Sequence, residues 1–291
     1  MTTKRKATKK AKSSKRPRSA KAAMAVATSE QKSVKQRVAA MAEVPLAACD
    51  NDKDLQSMLK VLTGPDEPIE VRLAALQSLQ AASFSVIAFE SCRGDYIAAL
   101  RKVATDPDPE LRQRVLGILA REKDGFAQKK LLEGLQKPEK ALVPPEKALQ
   151  LLSYDIHSDA YPVAREILKK PPSANAKREA LRLLAADAKS APVFEKLLRD
   201  KDEDAEIRQI SAAALQALKP EKLQANAREI LLDASDYDEI KATSLTAITQ
   251  FGDEEEVSKD EMLKKQITRI SKKGGSKVKQ SARRFITKYG R

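Results

Sequence analysis

The sequence predicts an all-α protein: a right-handed α-solenoid of about seven helix pairs behind a disordered basic arm. Three observations carry that expectation: an apolar stripe that returns at a fixed period, acid- and proline-rich turns that start helices, and charge gathered at the two chain ends. The stripe is clearest in residues 66–79, DEPIEVRLAALQSL, where Val71, Ala75, Leu76 and Leu79 share one helix face. The same frame is anchored at Leu111, Pro144, Ala176, Ile207, Ile240 and, least well, Val278, at intervals of 40, 33, 32, 31, 33 and 38 residues.

Composition agrees with this class. The 291 residues are 42% hydrophobic but only 4% aromatic with no Trp, so the core must be aliphatic. No apolar run is long enough to span a bilayer. The leader lacks the apolar centre of a signal peptide, and Cys49 and Cys92 make neither a disulfide framework nor a CxxC metal pair. These features predict a reducing, cytoplasmic setting, with nucleoid association or a nuclear location as variants, KRK and KRPR being the nuclear-type signals.

Taken in order, residues 1–30 are predicted to be a disordered basic arm, having no stripe and too little apolar area to offset ordering. Residues 31–53 are read as a capping helix and linker ending near Pro45. Residues 54–261 are the repeats. Their first helices are the segments beginning at Asp54, Asp95, Gly125, Tyr161, Ala191 and Lys222, and residues 262–291 complete a basic C-terminal capping repeat whose first helix starts at Glu261. The turns GPDEP, DPDPE, VPPE, KPPSAN, DKDED and ASDYDE place Pro and carboxylates where a helix N-terminus accepts them. Two intervals are long. Residues 83–94 insert an apolar patch with Phe84, Ile87 and Phe89, and residues 252–260 insert an acidic loop.

The unit DPDPELR at Asp106–Arg112, with DEPIEVR at Asp66–Arg72 and DEDAEIR at Asp202–Arg208, resembles the HEAT-like repeats also found in phycobilisome-lyase-type proteins. The likeness runs over residues 54–289 and speaks for fold far more than for activity. It implies a structural ladder in which a turn acid meets a helix base of the neighbouring repeat, with Arg72, Arg112, Lys177, Arg208 and Lys241 as the bases. Pro145 stands at the equivalent position of the third unit, where the ladder would break. Lys279 fits, but its turn lacks an acidic partner.

Catalytic signatures are sparse. His157 is the sole histidine, and although Asp155 or Asp159 would serve as its orienting carboxylate, its surroundings read as a solvated loop. Cys92 beside Arg93 reads as an inert structural thiol. Residues 253–256 are acidic but lack EF-hand spacing, and no phosphate loop, dinucleotide fingerprint, HExxH or GxSxG occurs. The sequence predicts no enzyme, no cofactor and no metal.

The net charge of +14 is uneven: residues 1–21 hold ten Lys/Arg and residues 262–291 eleven, with no acid in either, while the remainder has 34 basic against 41 acidic residues. The predicted polyanion-binding residues are Lys4, Arg5, Lys6, Lys9, Lys10, Lys12, Lys15, Arg16, Arg18, Lys272, Lys273, Lys277, Lys279, Arg283, Arg284 and Lys288. Glycine-flanked amides at residues 274–275 add an expected phosphate contact at a helix N-terminus. The leading functional expectation is a non-enzymatic scaffold holding a protein partner on the solenoid face and tethered to a polyanion by its termini. An alternative is a nucleic-acid-binding repeat protein without sequence readout, taking DNA or RNA through the basic ends. The third is an enzyme on the same scaffold, of bilin-lyase or DNA-glycosylase type. Neither a membrane nor a small-molecule substrate is indicated.

Overall fold

The structure is a computed structural model and describes residues 20–44, 52–155 and 159–290. It is all-helical over those residues, and consecutive helices pair and stack as an α-solenoid does. Two compact units divide the chain at Leu119/Ala120.

In the first unit, α1 (Ala20–Ala27) packs on α2 (Val34–Glu43), α3 (Asp52–Thr63) packs on α4 (Ile69–Ser83), and α4 also meets α2. The short α5 (Val86–Phe89) leads into α6 (Arg93–Val103), which lies against α3, and α7 (Pro109–Arg121) follows. Residues 20–27 therefore correct the expectation of disorder through residue 30. Ala23, Met24 and Ala27 bury one face of α1, and Ser33 starts α2 with a reciprocal capping box to Gln36.

The second unit repeats the arrangement. The pairs are α8 (Gly125–Gln136) with α9 (Pro145–Leu152), α10 (Ala160–Lys169) with α11 (Ala174–Leu184), α12 (Ala191–Arg199) with α13 (Ala205–Leu218), and α14 (Pro220–Leu232) with α15 (Asp238–Phe251). The second helices α9, α11, α13 and α15 contact one another in sequence, and α15 then meets α18 (Ser276–Tyr289), which pairs with α17 (Glu261–Lys273). The acidic insertion is corrected from a loop to α16 (Glu254–Lys259), whose first turn is capped by the Asp253 carboxylate.

The stripe residues fill the core: Val71, Ala75, Leu79, Leu111, Val115, Leu119, Ala180, Leu181, Ala212, Leu215 and Leu245 are enclosed. The insertion at residues 83–94 splits. Phe89 is buried edge-on against Tyr96, ring centroids 5.4 Å apart, whereas Phe84, Val86 and Ile87 stay exposed, Ile87 at 96%. Cys92 is buried and disulfide-bonded, which corrects the expectation of an inert thiol.

Arginines bind the helix pairs into a register. Arg72 Nε donates to the Leu62 carbonyl at 3.0 Å and its Nη2 to Asp106. Arg208 repeats this with Leu198 at 2.9 Å and a bidentate pair to Asp236 at 2.8 and 2.9 Å. Arg37, absent from the expected ladder, donates through Nε to Ala27 at 2.9 Å and sets Nη1 2.7 Å from Glu67 Oε2. Lys177 pairs with Glu203 of the following turn. Arg112 and Lys241 make contacts within their own turns: Arg112 Nη1 donates to the Asp106 carbonyl at 2.6 Å, and Lys241 Nζ to the carbonyls of Ala234 and Asp236 at 3.1 and 2.7 Å.

Candidate nucleic-acid interface

The C-terminal pair is built by its apolar faces. Leu263, Ile267 and Ile270 of α17 and Val278, Ala282, Phe285 and Tyr289 of α18 close over Leu231, Leu245 and Ile248. The Tyr289 hydroxyl also lies within hydrogen-bonding distance of the Ile248 and Gly252 carbonyls, at 3.1 and 3.3 Å. Burial of these faces turns the remaining faces outward, and those carry the bases. Lys265, Arg269, Lys272 and Lys273 of α17 and Lys277, Arg283 and Arg284 of α18 are exposed, with Lys279 half-buried. None of these eight forms an ion pair with another described residue.

Two other bases of the pair differ, the expected Lys288 and, on α17, Lys264. Lys288 donates to the Thr249 carbonyl at 2.7 Å with its ammonium 4.8 Å from the Tyr289 ring centre. Lys264 is paired to Glu261 across one helical turn. Lys4, Arg5, Lys6, Lys9, Lys10, Lys12, Lys15, Arg16 and Arg18 lie outside the described residues, as does His157.

The expected phosphate contact at the Gly274–Gly275 turn is corrected. The Gly275 N–H donates to Asp238 Oδ2 at 2.6 Å, so a carboxylate of α15 already satisfies the amide at the start of α18. Glycine is required sterically at residue 274, where a Cβ would sit 2.4 Å from Val278 Cγ1 and 2.9 Å from the Ile270 carbonyl oxygen; one at residue 275 would lie 3.0 Å from the Asp238 oxygen, which would have to shift slightly. The start of α17 is likewise served, by Asp260 accepting from the Leu263 N–H at 3.0 Å. The Gly275 amide is therefore taken, and the Asp238 carboxylate beside it opposes a phosphate at this turn.

Several bases of the middle repeats are engaged instead, although Lys129, Lys137, Lys189, Lys196 and Arg199 are exposed and form no ion pair among the described residues. Lys201 pairs with Asp233, Arg228 with Asp260, Arg182 with Glu206 and Arg165 with Asp187. Hydrogen bonds from Lys201 and then Ser235 hold the Asp233 carboxyl below the usual carboxylate range, and the Arg228 guanidinium does the same to Asp260. In α9, Pro145 supplies no base, while the preceding helix joins its unit through Gln128 Nε2 donating to Asp155 at 3.3 Å and Lys123 3.5 Å from the same carboxylate. Among the described residues no helix is long and apolar enough to cross a membrane.

No family model matches the chain, and no curated protein matches it. Among solved structures it is similar to human deoxyhypusine hydroxylase in complex with glycerol, with a TM-score of 0.35 and 12% identity over 84% of this chain and 99% of that one. A likeness of that size assigns no activity here. The leading expectation of a non-enzymatic scaffold finds no support among these comparisons and is not carried further.

Proposed function

We propose that the chain binds nucleic-acid phosphates without sequence readout, using the outward faces of α17 and α18. One observation carries this reading: α17 and α18 turn a cluster of eight cations outward with none of them in an ion pair among the described residues, whereas Lys201, Arg228, Arg182 and Arg165 of the middle repeats are tied to carboxylates. Free surface cations displace condensed counterions when they meet a phosphate backbone, which gives affinity that depends on salt and not on sequence. The lack of Trp and the scarcity of aromatic residues support backbone contact over base stacking.

The test is a salt titration of the full chain with a generic duplex DNA and a generic RNA. Arg283→Gln with Arg284→Gln is expected to reduce the slope of log K against log salt by about 2, since each lost phosphate contact removes roughly 0.9 on a duplex. Removing residues 1–19 separates the contribution of the N-terminal bases. Unchanged slope and affinity in the double variant would assign the α17–α18 surface no part in binding.

A further inference from the structure

The arginine register puts one groove at equivalent places in the two units, and its two copies differ. In the second unit Lys201 stands seven residues before Arg208, and Asp233 three before Asp236. Lys201 pairs with Asp233 across the opening, Asp236 takes both Nη atoms of Arg208, and only about 20 Å³ remains between them. In the first unit the same offsets from Arg37 and Glu67 lead to Glu30 and Gly64. The cation has become an anion and the carboxylate has lost its side chain, so no closing pair forms. The groove there holds about 840 Å³, within the range of ligand sites.

Its floor is polar and unsatisfied. Arg37 is 3% exposed, and its Nη2 is enclosed without a hydrogen-bond partner. Glu67 Oε2 lies 2.7 Å from Arg37 Nη1, yet the approach is not aligned as a hydrogen bond and this oxygen too is enclosed and unsatisfied. A buried donor thus sits beside a buried acceptor, an arrangement that is costly unless a complementary group reaches it. An amide is that group: its carbonyl accepts from Arg37 and its N–H donates to Glu67. The rim carries Glu30 and Asp66, both exposed, with Lys60 as its one exposed cation, so that with Arg37 and Glu67 the lining holds three carboxylates against two bases. The acidic balance, and Glu30 standing where Lys201 stands in the second unit, favour a cation at that place. We propose that the first-unit groove binds a peptide segment, a main-chain amide bridging Arg37 and Glu67 while a Lys or Arg of the peptide meets Glu30 and Asp66.

The protein's net charge of +14 opposes a basic peptide in general, so such binding reports the local site. The experiment is fluorescence anisotropy of the full chain with a labelled acetyl-Ala-Lys-Ala-Arg-Ala-amide. Acetyl-Ala-Glu-Ala-Glu-Ala-amide and adenosine monophosphate, whose base edge also pairs a donor with an acceptor, are run beside it. Saturable binding of the basic peptide alone is expected. Glu30→Lys with Gly64→Asp rebuilds the closing pair of the second unit and is expected to lower that affinity about tenfold or more. Glu30→Lys by itself changes only an exposed side chain; it is expected to weaken the basic peptide severalfold while leaving the thermal unfolding of the chain unchanged. Absence of saturable binding, equal binding by the closed variant, or tighter binding of the nucleotide or the acidic peptide overturns the proposal. None of these readouts involves α17 or α18, so failure here and failure of the nucleic-acid reading are distinguishable.

Discussion

Arg208 and Asp236 form the most completely enclosed ion pair among those described, with side chains 3% and 2% exposed. Arg208→Ala would leave a buried carboxylate without its partner, and urea unfolding is expected to show a loss of about 3–5 kcal/mol. Arg208→Met combined with Asp236→Leu is expected to recover most of that loss, because removing both charges removes the desolvation cost as well. Two tyrosines provide a contrasting pair. The Tyr161 hydroxyl is buried with no hydrogen-bond partner, and burial, with the Asp187 charge behind it, raises its pKa. Tyr161→Phe should therefore be neutral or stabilising, whereas Tyr289→Phe forfeits the contacts to Ile248 and Gly252 and should cost about 1 kcal/mol in the same measurement. Arg72 and Arg208 were legible because an aliphatic residue precedes each base and a stripe follows it. Arg37 was hidden because Gln36, serving the capping box, occupies that aliphatic position. Ala40, Met41 and Val44 nevertheless keep the spacing of the stripe.

Helix starts and stripes fixed the elements well, since both are local features of sequence. Proline and acid in the turns marked α4, α7, α9 and α13 within a few residues of where they begin. What escaped was short: α5 has four residues and α16 six, too few to show a period. The fate of the residue 83–94 patch was equally illegible, because only packing against Tyr96 decides that Phe89 turns inward while Ile87 does not. Turn-to-turn ion pairs couple these elements to pH. Lys201 and Arg228 hold Asp233 and Asp260 below the ordinary carboxylate pKa, so the stabilisation they confer is complete above the unfolded value, near pH 4, and is lost as pH falls through the folded values. Melting temperature measured downward from about pH 5 should thus fall less steeply in Asp233→Asn with Asp260→Asn than in the parent, and the variant should already be less stable at neutral pH. An identical slope for the two proteins would remove these pairs from the acid response.

Over the whole molecule, stability in a stacked array is a sum of local and neighbouring terms. Phe285 sits in the core shared by α15, α17 and α18. Phe285→Ala is expected to raise amide hydrogen exchange across those three helices and to leave α3, α4 and α6 of the first unit as they were. The repeat period made this architecture readable before any coordinates. The groove at Arg37 was not readable, since its meaning depends on comparing Glu30 and Gly64 with Lys201 and Asp233 once the register between units is known. The arginine clasp has one more consequence, for descent. Each guanidinium in this set reaches toward the C-terminus, Arg37 to Glu67, Arg72 to Asp106 and Arg208 to Asp236. Any copied stretch one period long brings one base and one acid, and both seams then find a complement already in place. Such a chain grows by duplication as a sentence grows by a repeated clause, with no new grammar at the join.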